Sequence, residues 1–420
     1  MKFFTKMALK NLFRHKLRTS ISIIAIAISI IVVVFTRGLI NGMIDSLFAN
    51  QIQFQSGHIR IVNSEYEQRE RLLSLNYTIE GFEDETGSEM LAQLEEQEGI
   101  EMAIPRLKFG AVVSTENDLV EMMGWGVDPE KEKRFTDIEE MIIEGRMPET
   151  GDNEITMGSG LLDKLDKDVG DSVTILYNTA FNSFKGRTFN IVGEVESELR
   201  LLNDNVFHLP ITEAQNILDL EDEYTEIILA STDLNQVDNI LPGINEYISD
   251  KPGGEKYSIT PWNEFGGLVY WMQMARKIYN VIYVFLVVLS SFVVINTMVM
   301  IVNERTREIG MMSALGLKSS GILKLFILEG TIMGIIGSFV GAIGGGIITR
   351  IIESIGINYT ETLEGMGEEI MMNPVIYPSF SYEDMLFGFI LGIIITAIAC
   401  IIPARRAAKM EPNDALREVN

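Results

Sequence analysis

Cysteine and histidine are nearly missing from this chain, which has one cysteine and three histidines in 420 residues. The single thiol, Cys400, sits in an apolar stretch, so neither an intrachain disulfide nor a cysteine-based metal cluster can form. His58 and His208 lie far apart with no ligand pattern beside either, and the spacing of a zinc site is therefore missing. No Gly-x-Ser-x-Gly elbow occurs. Gly158-Ser159-Gly160 is the nearest approach, and it reads as a turn and helix start, not a nucleophile.

Positive charge is the second shortage. Lys and Arg number 34 against 59 Asp and Glu, for a net charge of −25. The deficit is local: residues 45–270 hold 46 acids and 16 bases, whereas residues 1–18 hold six bases (Lys2, Lys6, Lys10, Arg14, Lys16, Arg18) and no acid. So acidic a segment repels nucleic acid and anionic headgroups. Its clusters Glu139-Glu140 and Glu221-Asp222-Glu223 lack the alternating oxygen ligands and central glycine of a calcium loop, and read as solvated faces.

Long apolar runs are what the chain does have. Thr19–Thr36 carries no charge, and at 1.5 Å per residue it spans roughly 27 Å of a hydrocarbon layer about 30 Å thick. Further spans lie near Ile278–Val302, Ile322–Ile348 and Met385–Ile402. A basic start before an apolar run is also how a secretory signal begins. Here the run is long and is followed by Arg37 and bulky residues, which favours an uncleaved anchor.

The flanks orient these spans. Arg305, Arg307, Lys318 and Lys324 surround the loop between the second and third, and Arg405, Arg406, Lys409 and Arg417 follow the fourth. The loop from Arg350 to Asp384 has the opposite bias, with Glu353, Glu361, Glu364, Glu368, Glu369, Glu383 and Asp384. Both termini are expected in the cytoplasm and residues 45–270 outside. The expected fold is a membrane protein with four transmembrane helices and a large mixed α/β extracytoplasmic domain between helices 1 and 2. Its expected parts are residues 1–18 (cytoplasmic start), 19–44 (first span and extension), 45–270 (outer domain), 271–402 (remaining spans) and 403–420 (cytoplasmic tail).

In the outer domain, Gly57–Val62 alternates like a half-buried strand, and Val173–Leu176 and Thr188–Val192 are further strand segments. Glu89–Gln97 and Gly160–Leu165 read as helices; Gly145–Pro148 and Val169–Asp171 read as turns.

In the third span, Gly330, Gly334, Gly337, Gly341 and Gly344 recur on one side of the helix, where another backbone can approach closely. Static packing within one subunit and a sliding or dimer contact both fit such a stripe. Glu329, inside the same span, is costly unless paired or hydrated, with Asn296 a polar partner and Lys324 an imperfect one. Between spans two and three, Asn303–Gly316 places its charges first and then Ile309, Met312 and Leu315 at helical spacing. This gives a short amphipathic cytoplasmic helix, fit either to dock a partner or to lie on lipid.

That segment, together with Pro403–Arg417 and the start Ala8–Arg18, resembles the permeases of ATP-binding-cassette systems with an FtsX-like domain. Gly126-Val127-Asp128-Pro129, Gly145-Arg146-Met147-Pro148, Glu154-Ile155, Gly158, Leu161 and Val169-Gly170-Asp171 resemble the MacB-like extracytoplasmic domain, and the first of these leans toward the lipoprotein-releasing (LolC/LolE-like) branch.

The resemblance implies a non-catalytic transmembrane subunit that pairs with a related permease, as homodimer or heterodimer, above a cytoplasmic ABC ATPase. Because the chain contains no Gly-x-x-x-x-Gly-Lys-Ser/Thr loop, ATP and Mg belong to a separate ATPase chain and no cofactor is expected on this one. ATPase coupling then falls to Glu304, Arg305, Arg307, Glu308, Gly310, Leu315 and Gly316. The implied function is export or extraction of a lipoprotein or other lipophilic cargo. A mechanotransmitting regulator of an extracellular partner such as a cell-wall hydrolase, and a membrane-anchored binding module, are the alternatives.

Overall fold

The computed structural model describes residues 2–12, 14, 16–115, 119–360 and 373–410, without the side chains of Lys2, Phe3 and Leu268. Glu361, Glu364, Glu368 and Glu369, and the tail from Glu411 through Arg417, lie outside the described residues. The chain divides into two compact units. A membrane unit takes in Met1–Ile44, Met272–Asn358 and Ile376–Asn420; an outer unit takes in Asp45–Trp271 and Tyr359–Val375.

Among the described residues, four helices are long and apolar enough to cross a membrane. The first span is Lys16–Gln51, the second Leu268–Glu304, the third Ser319–Ile355, and the fourth Tyr382–Ala399, carried on by the tail helix Ile401–Ala408. Most run well past their uncharged stretches, because no proline interrupts their backbone ladders and polar side chains at the ends are tolerated in water. An N-terminal helix, Lys2–Leu12, precedes the first span.

The bundle buries Ile26, Ile30, Val33 and Val34 of the first span against Val294 and Met298 of the second and Phe326 and Met333 of the third. Ile24, Ile28, Phe285, Phe292, Phe339 and Ile347 stay exposed, an apolar surface that suits hydrocarbon. The chain is a multi-pass membrane protein with its large domain outside the cytoplasm. Four crossings are an even number, so both ends lie on the cytoplasmic side.

The outer unit is built on a ten-stranded sheet. Its strands are β1 (Ile59–Asn63), β2 (Ile100–Ser114), β3 (Leu119–Val127), β4 (Ile142–Gly145), β5 (Glu154–Gly158), β6 (Ser172–Asn178), β7 (Phe184–Val195), β8 (Val206–Pro210), β9 (Glu226–Ser231) and β10 (Tyr257–Pro261). The order is β10-β1-β9-β2-β3-β8-β5-β7-β4, with β6 pairing β2 and β7. The β3/β8 and β5/β7 pairs are parallel and the other pairs antiparallel. Helices Gly87–Glu95 and Val237–Ser249 cover the β1/β9 part through Met90, Leu94, Ile244 and Ile248.

Several local expectations meet a different environment. β1 alternates in sequence but is buried on both faces, because Arg60 points inward to an ionic partner: Glu226 of β9 accepts from Arg60 Nε at 2.8 Å and lies 2.7 Å from Lys108 Nζ. Gly57, just before β1, has φ +56°, and a Cβ there would meet Ile228 at 2.0 Å, so only glycine fits. Strand β5 runs directly into helix Ser159–Leu165, so the expected helix start is there, entered straight from a strand with no turn before it. Gly158 has ordinary extended dihedrals there, and a Cβ would collide with the Leu202 and Asn203 carbonyls at 2.3 Å. Close packing explains that glycine. The family-like pair Arg146 and Glu154 forms a two-pronged ion pair at 2.8 and 2.7 Å.

Glu139 and Glu140 are solvated as their sequence suggests, but Asp222 is not merely a surface acid. It accepts from the backbone N–H of Ser88 and from the Tyr224 hydroxyl, both at 2.9 Å.

Candidate functional site

The amphipathic segment after the second span folds as the helix Thr306–Ala314, which begins where Arg305 leaves helical geometry (φ −100°, ψ 16°). That break turns the chain and sends Arg305 inward. Its side chain is 4% exposed and Glu329 of the third span is 2% exposed. Arg305 Nη1 donates to Glu329 Oε1 at 3.2 Å, Arg305 Nε donates to Glu308 Oε2 at 2.9 Å, and the guanidinium lies over the Phe326 ring.

The N-terminal helix, the turn after it and the start of the first span complete this hub. Asn11 Nδ2 donates to Glu329 Oε1 at 2.6 Å, Arg14 pairs with Glu308, and Arg18 pairs with Glu304. Thr19 Oγ1 caps the Leu12 carbonyl at 3.1 Å and so fixes the corner between that helix and the first span. Burial raises the Glu308 carboxyl, but Arg305 and Arg14 outweigh it and hold the group below the usual carboxylate range. The short helix is thus tied by charge to the turn that holds Arg14 and, through Arg305, to the third span, while Arg18 and Glu304 join the first span to the second.

The expected coupling residues divide by side. Arg305 and Gly310 face inward and Glu308 is engaged with two arginines, whereas Arg307, Leu315 and Gly316 face out. Arg307, Met311 and Leu315 recur every fourth residue on the exposed side, with Leu315 89% exposed. Leu315 therefore lies off the apolar face on which its spacing with Ile309 placed it and extends the outer row of Arg307 and Met311. Gly316 follows with φ +93°.

The polar partners proposed from sequence for Glu329 are not the ones it has. Asn296 and Lys324 are both exposed, and Asn11 and Arg305 take their place. No periodicity links residue 11 to residue 329; the only signal was an amide among the lysines of a basic helix.

The glycine stripe lies against spans of the same chain. A Cβ on Gly337 would meet Ile26, one on Gly341 would meet Ala27 and Ile30, and one on Gly344 would meet Ile31, all in the first span. Gly330 faces Cys400 and Gly334 faces Thr396. A second polar contact, unmarked in the sequence reading, closes the other end of the bundle: Arg37 pairs with Asp384, which also accepts from Asn41 at 3.0 Å, while Arg37 reaches Asn280 at 3.1 Å. Among the described residues, no group of three or more His, Cys, Asp or Glu is placed to hold a metal.

This membrane architecture has known counterparts. Residues 280–412 match the family described as FtsX-like permease C-terminal, and residues 19–246 match the MacB-like periplasmic core domain. The chain is 23% identical over 327 residues to the lipoprotein-releasing system transmembrane protein LolC of Xylella fastidiosa, covering 75% of this chain and 77% of that one. It is 25% identical over 342 residues to the lipoprotein-releasing system transmembrane protein LolE of Haemophilus influenzae, covering 77% and 79%. The macrolide export ATP-binding/permease protein MacB of Marinobacter nauticus is 26% identical over 236 residues, covering 54% of this chain and 33% of that longer one. The chain belongs to the FtsX/MacB family of ATP-binding-cassette permeases, as a non-catalytic transmembrane subunit that works with a separate ATPase.

Proposed function

We propose that residues 303–316 receive the ATPase, and that the permease uses the displacement to extract a lipoprotein or another lipophilic cargo on the extracytoplasmic side. The two-sided helix Thr306–Ala314 carries this reading. Its exposed stripe of Arg307, Met311 and Leu315 offers a partner both charge and apolar area, as a docking surface requires. Its inward side grips Glu329, so any push on the helix is delivered to the third span and, through Asn11, Arg14 and Arg18, to the start of the first.

The glycine stripe supports movement along the same path. Gly337, Gly341 and Gly344 bring the third span close against Ile26, Ile30 and Ile31 of the first, so a shift of one span is felt directly by the other. In this reading residues 1–18 are the cytoplasmic arm, 19–44 and 271–402 the membrane machinery, 45–270 the outer domain and 403–420 the tail. A second permease chain, identical or related, would cover exposed faces such as Val281, Phe285, Leu289 and Phe292 of the second span. The cargo class is supported by the names of the LolC and LolE relatives.

The test is reconstitution of the chain with its cognate ATPase in lipid nanodiscs, with hydrolysis measured against a triacylated lipopeptide, a phospholipid and a macrolide. Stimulation by the lipopeptide is expected. Stimulation by the macrolide alone would overturn the cargo class, and failure of the two proteins to associate would overturn the docking assignment.

A further inference from the structure

Gly126-Val127-Asp128-Pro129 takes no part in the cytoplasmic hub, yet its chemistry is specific. It closes β3 and starts the short helix Pro129–Thr136. Asp128 Oδ1 accepts from the backbone N–H of Glu130 at 3.1 Å and of Lys131 at 3.2 Å, and Pro129 fills the first helical position, where a missing N–H loses nothing.

The capped helix presents Glu132, 1% exposed, to Arg106 of β2, 0% exposed. Arg106 Nε and Nη2 donate to the two Glu132 oxygens at 3.1 and 2.6 Å. A carboxylate seated in this way fixes the plane of the guanidinium, and Trp125 lies beside it, 5.4 Å from ring centre to Cζ.

The remaining donors of Arg106 are aimed at the end of the first span. Nη1 donates to the Phe54 carbonyl at 3.0 Å and Nη2 to the Gln53 carbonyl at 3.2 Å. Both carbonyls belong to the wider turn Ile52–Ser56 that directly continues the helix Lys16–Gln51. The last carbonyls of a helix lack partners along the chain and carry its negative pole, so a buried cation is the matching group. Gln53 Nε2 in turn donates to the carbonyl of Thr136, the last residue of the short helix, at 2.6 Å. On another side Gln51 Nε2 donates to the Trp262 carbonyl at 3.1 Å, and Phe48 meets the Trp262 ring edge to face.

We infer that Arg106, held by Glu132 and the Gly126–Pro129 turn, is a positioning residue that clamps the end of the first-span helix to the sheet. The outer-unit end of that helix, from Asp45 onward, then moves with the sheet as one piece. The inference rests on the ATP-driven reading above for its purpose, but the clamp itself is a property of the outer unit.

The test uses the full chain with its cognate ATPase in nanodiscs, carrying spin labels at Ala49→Cys and Asp168→Cys. Both sites are exposed, and Cys400 is buried and escapes labelling. The wild type is expected to give one narrow distance distribution, with or without ATP. Glu132→Gln and Arg106→Lys, which break the two-pronged pair, are expected to broaden it and to lower lipopeptide release per ATP about tenfold, the size of one lost charged hydrogen bond, with basal hydrolysis unchanged. Gln53→Ala leaves the buried pair intact and is expected to broaden the distribution less. It remains informative if the other two fail to fold. A narrow distribution in every folded variant would overturn the clamp. A narrow wild-type distribution with no lipopeptide release in the wild type would instead count against the transport reading and leave the clamp standing.

Discussion

Asn11 Nδ2 lies 2.6 Å from Glu329 Oε1, the same oxygen that receives Arg305 Nη1 at 3.2 Å. The N-terminal helix and the cytoplasmic helix therefore meet on one carboxylate of the third span. Removing one partner of a buried ion pair strands the other, at about 3–5 kcal/mol, whereas losing a hydrogen bond to a charged group costs about 1.5–3 kcal/mol. Glu329→Ala should lower the melting temperature of the detergent-purified chain more than Asn11→Leu does. Both should weaken cargo-stimulated hydrolysis. If the two variants melt with the wild type, the hub does not hold the helix.

The outward side of that helix should behave in the opposite way. Leu315 is 89% exposed and packs against little in the chain, so Leu315→Asp should leave the melting temperature unchanged and abolish copurification of the ATPase. Gly316→Ala should act more mildly, through the strain of a side chain at φ +93°. Glu308→Ala should shift stability because Glu308 is held between Arg14 and Arg305. Normal ATPase capture by Leu315→Asp would move the docking surface elsewhere.

Packing along the glycine stripe gives a prediction with a built-in rescue. A Cβ on Gly330 would stand 2.0 Å from Cys400 Sγ and 2.7 Å from Cys400 Cβ. Overpacking of this kind costs about 1–3 kcal/mol. Gly330→Ala should destabilise the bundle, and the added Cys400→Gly change, which clears both atoms, should recover much of the loss. Gly341→Leu, facing Ala27 and Ile30, has no single-residue rescue and should disrupt assembly. Thermal melting of the three variants decides the point; a Gly330→Ala chain as stable as the wild type would place that glycine against yielding side chains.

What sequence could and could not disclose follows from the range of the interactions. Thr19–Thr36 announced a span because its signal is local and rests on length and apolarity alone. The side of the membrane followed from Arg305, Arg307 and the tail cations for the same reason. The helix Thr306–Ala314 was legible, but its inner and outer faces were not, since Leu315 continues the apolar spacing of Ile309 and yet extends the outer row of Arg307 and Met311. Glu329 stood out as a costly charge, yet its partners come from residues 11 and 305, and pairings that distant leave no periodic trace. β1 looked half-buried because Arg60 counts as polar; only the sheet shows that Glu226 lies opposite to receive it.

Two buried groups of the outer unit, His208 and Glu226, should make its stability fall in acid over successive ranges. Burial, and then the positive charge of Arg106, push the His208 imidazole down to about 3. Burial also acts on Glu226, pushing it up, but Lys108, Arg60 and Arg106 outweigh that and hold the carboxyl at about 2. Each group binds a proton less readily folded than unfolded, so stability rises with pH across each interval. The His208 contribution is complete above its ordinary value of 6.5 and is lost as pH falls from there toward 3. The Glu226 contribution is complete above 4.5 and is lost as pH falls from there toward 2. Between pH 6.5 and 4.5 the histidines act before the carboxylate, with His58 lowered in the same direction by burial. The melting temperature of the purified chain should therefore already decline across that interval, and His208→Gln should flatten the decline without removing the steeper fall below it. Glu226→Gln should do the reverse. It should lower stability at neutral pH, where Arg60, Arg106 and Lys108 lose their shared counter-charge, and blunt the fall at the acid end. An unchanged slope in His208→Gln would show that the imidazole is protonated without unfolding.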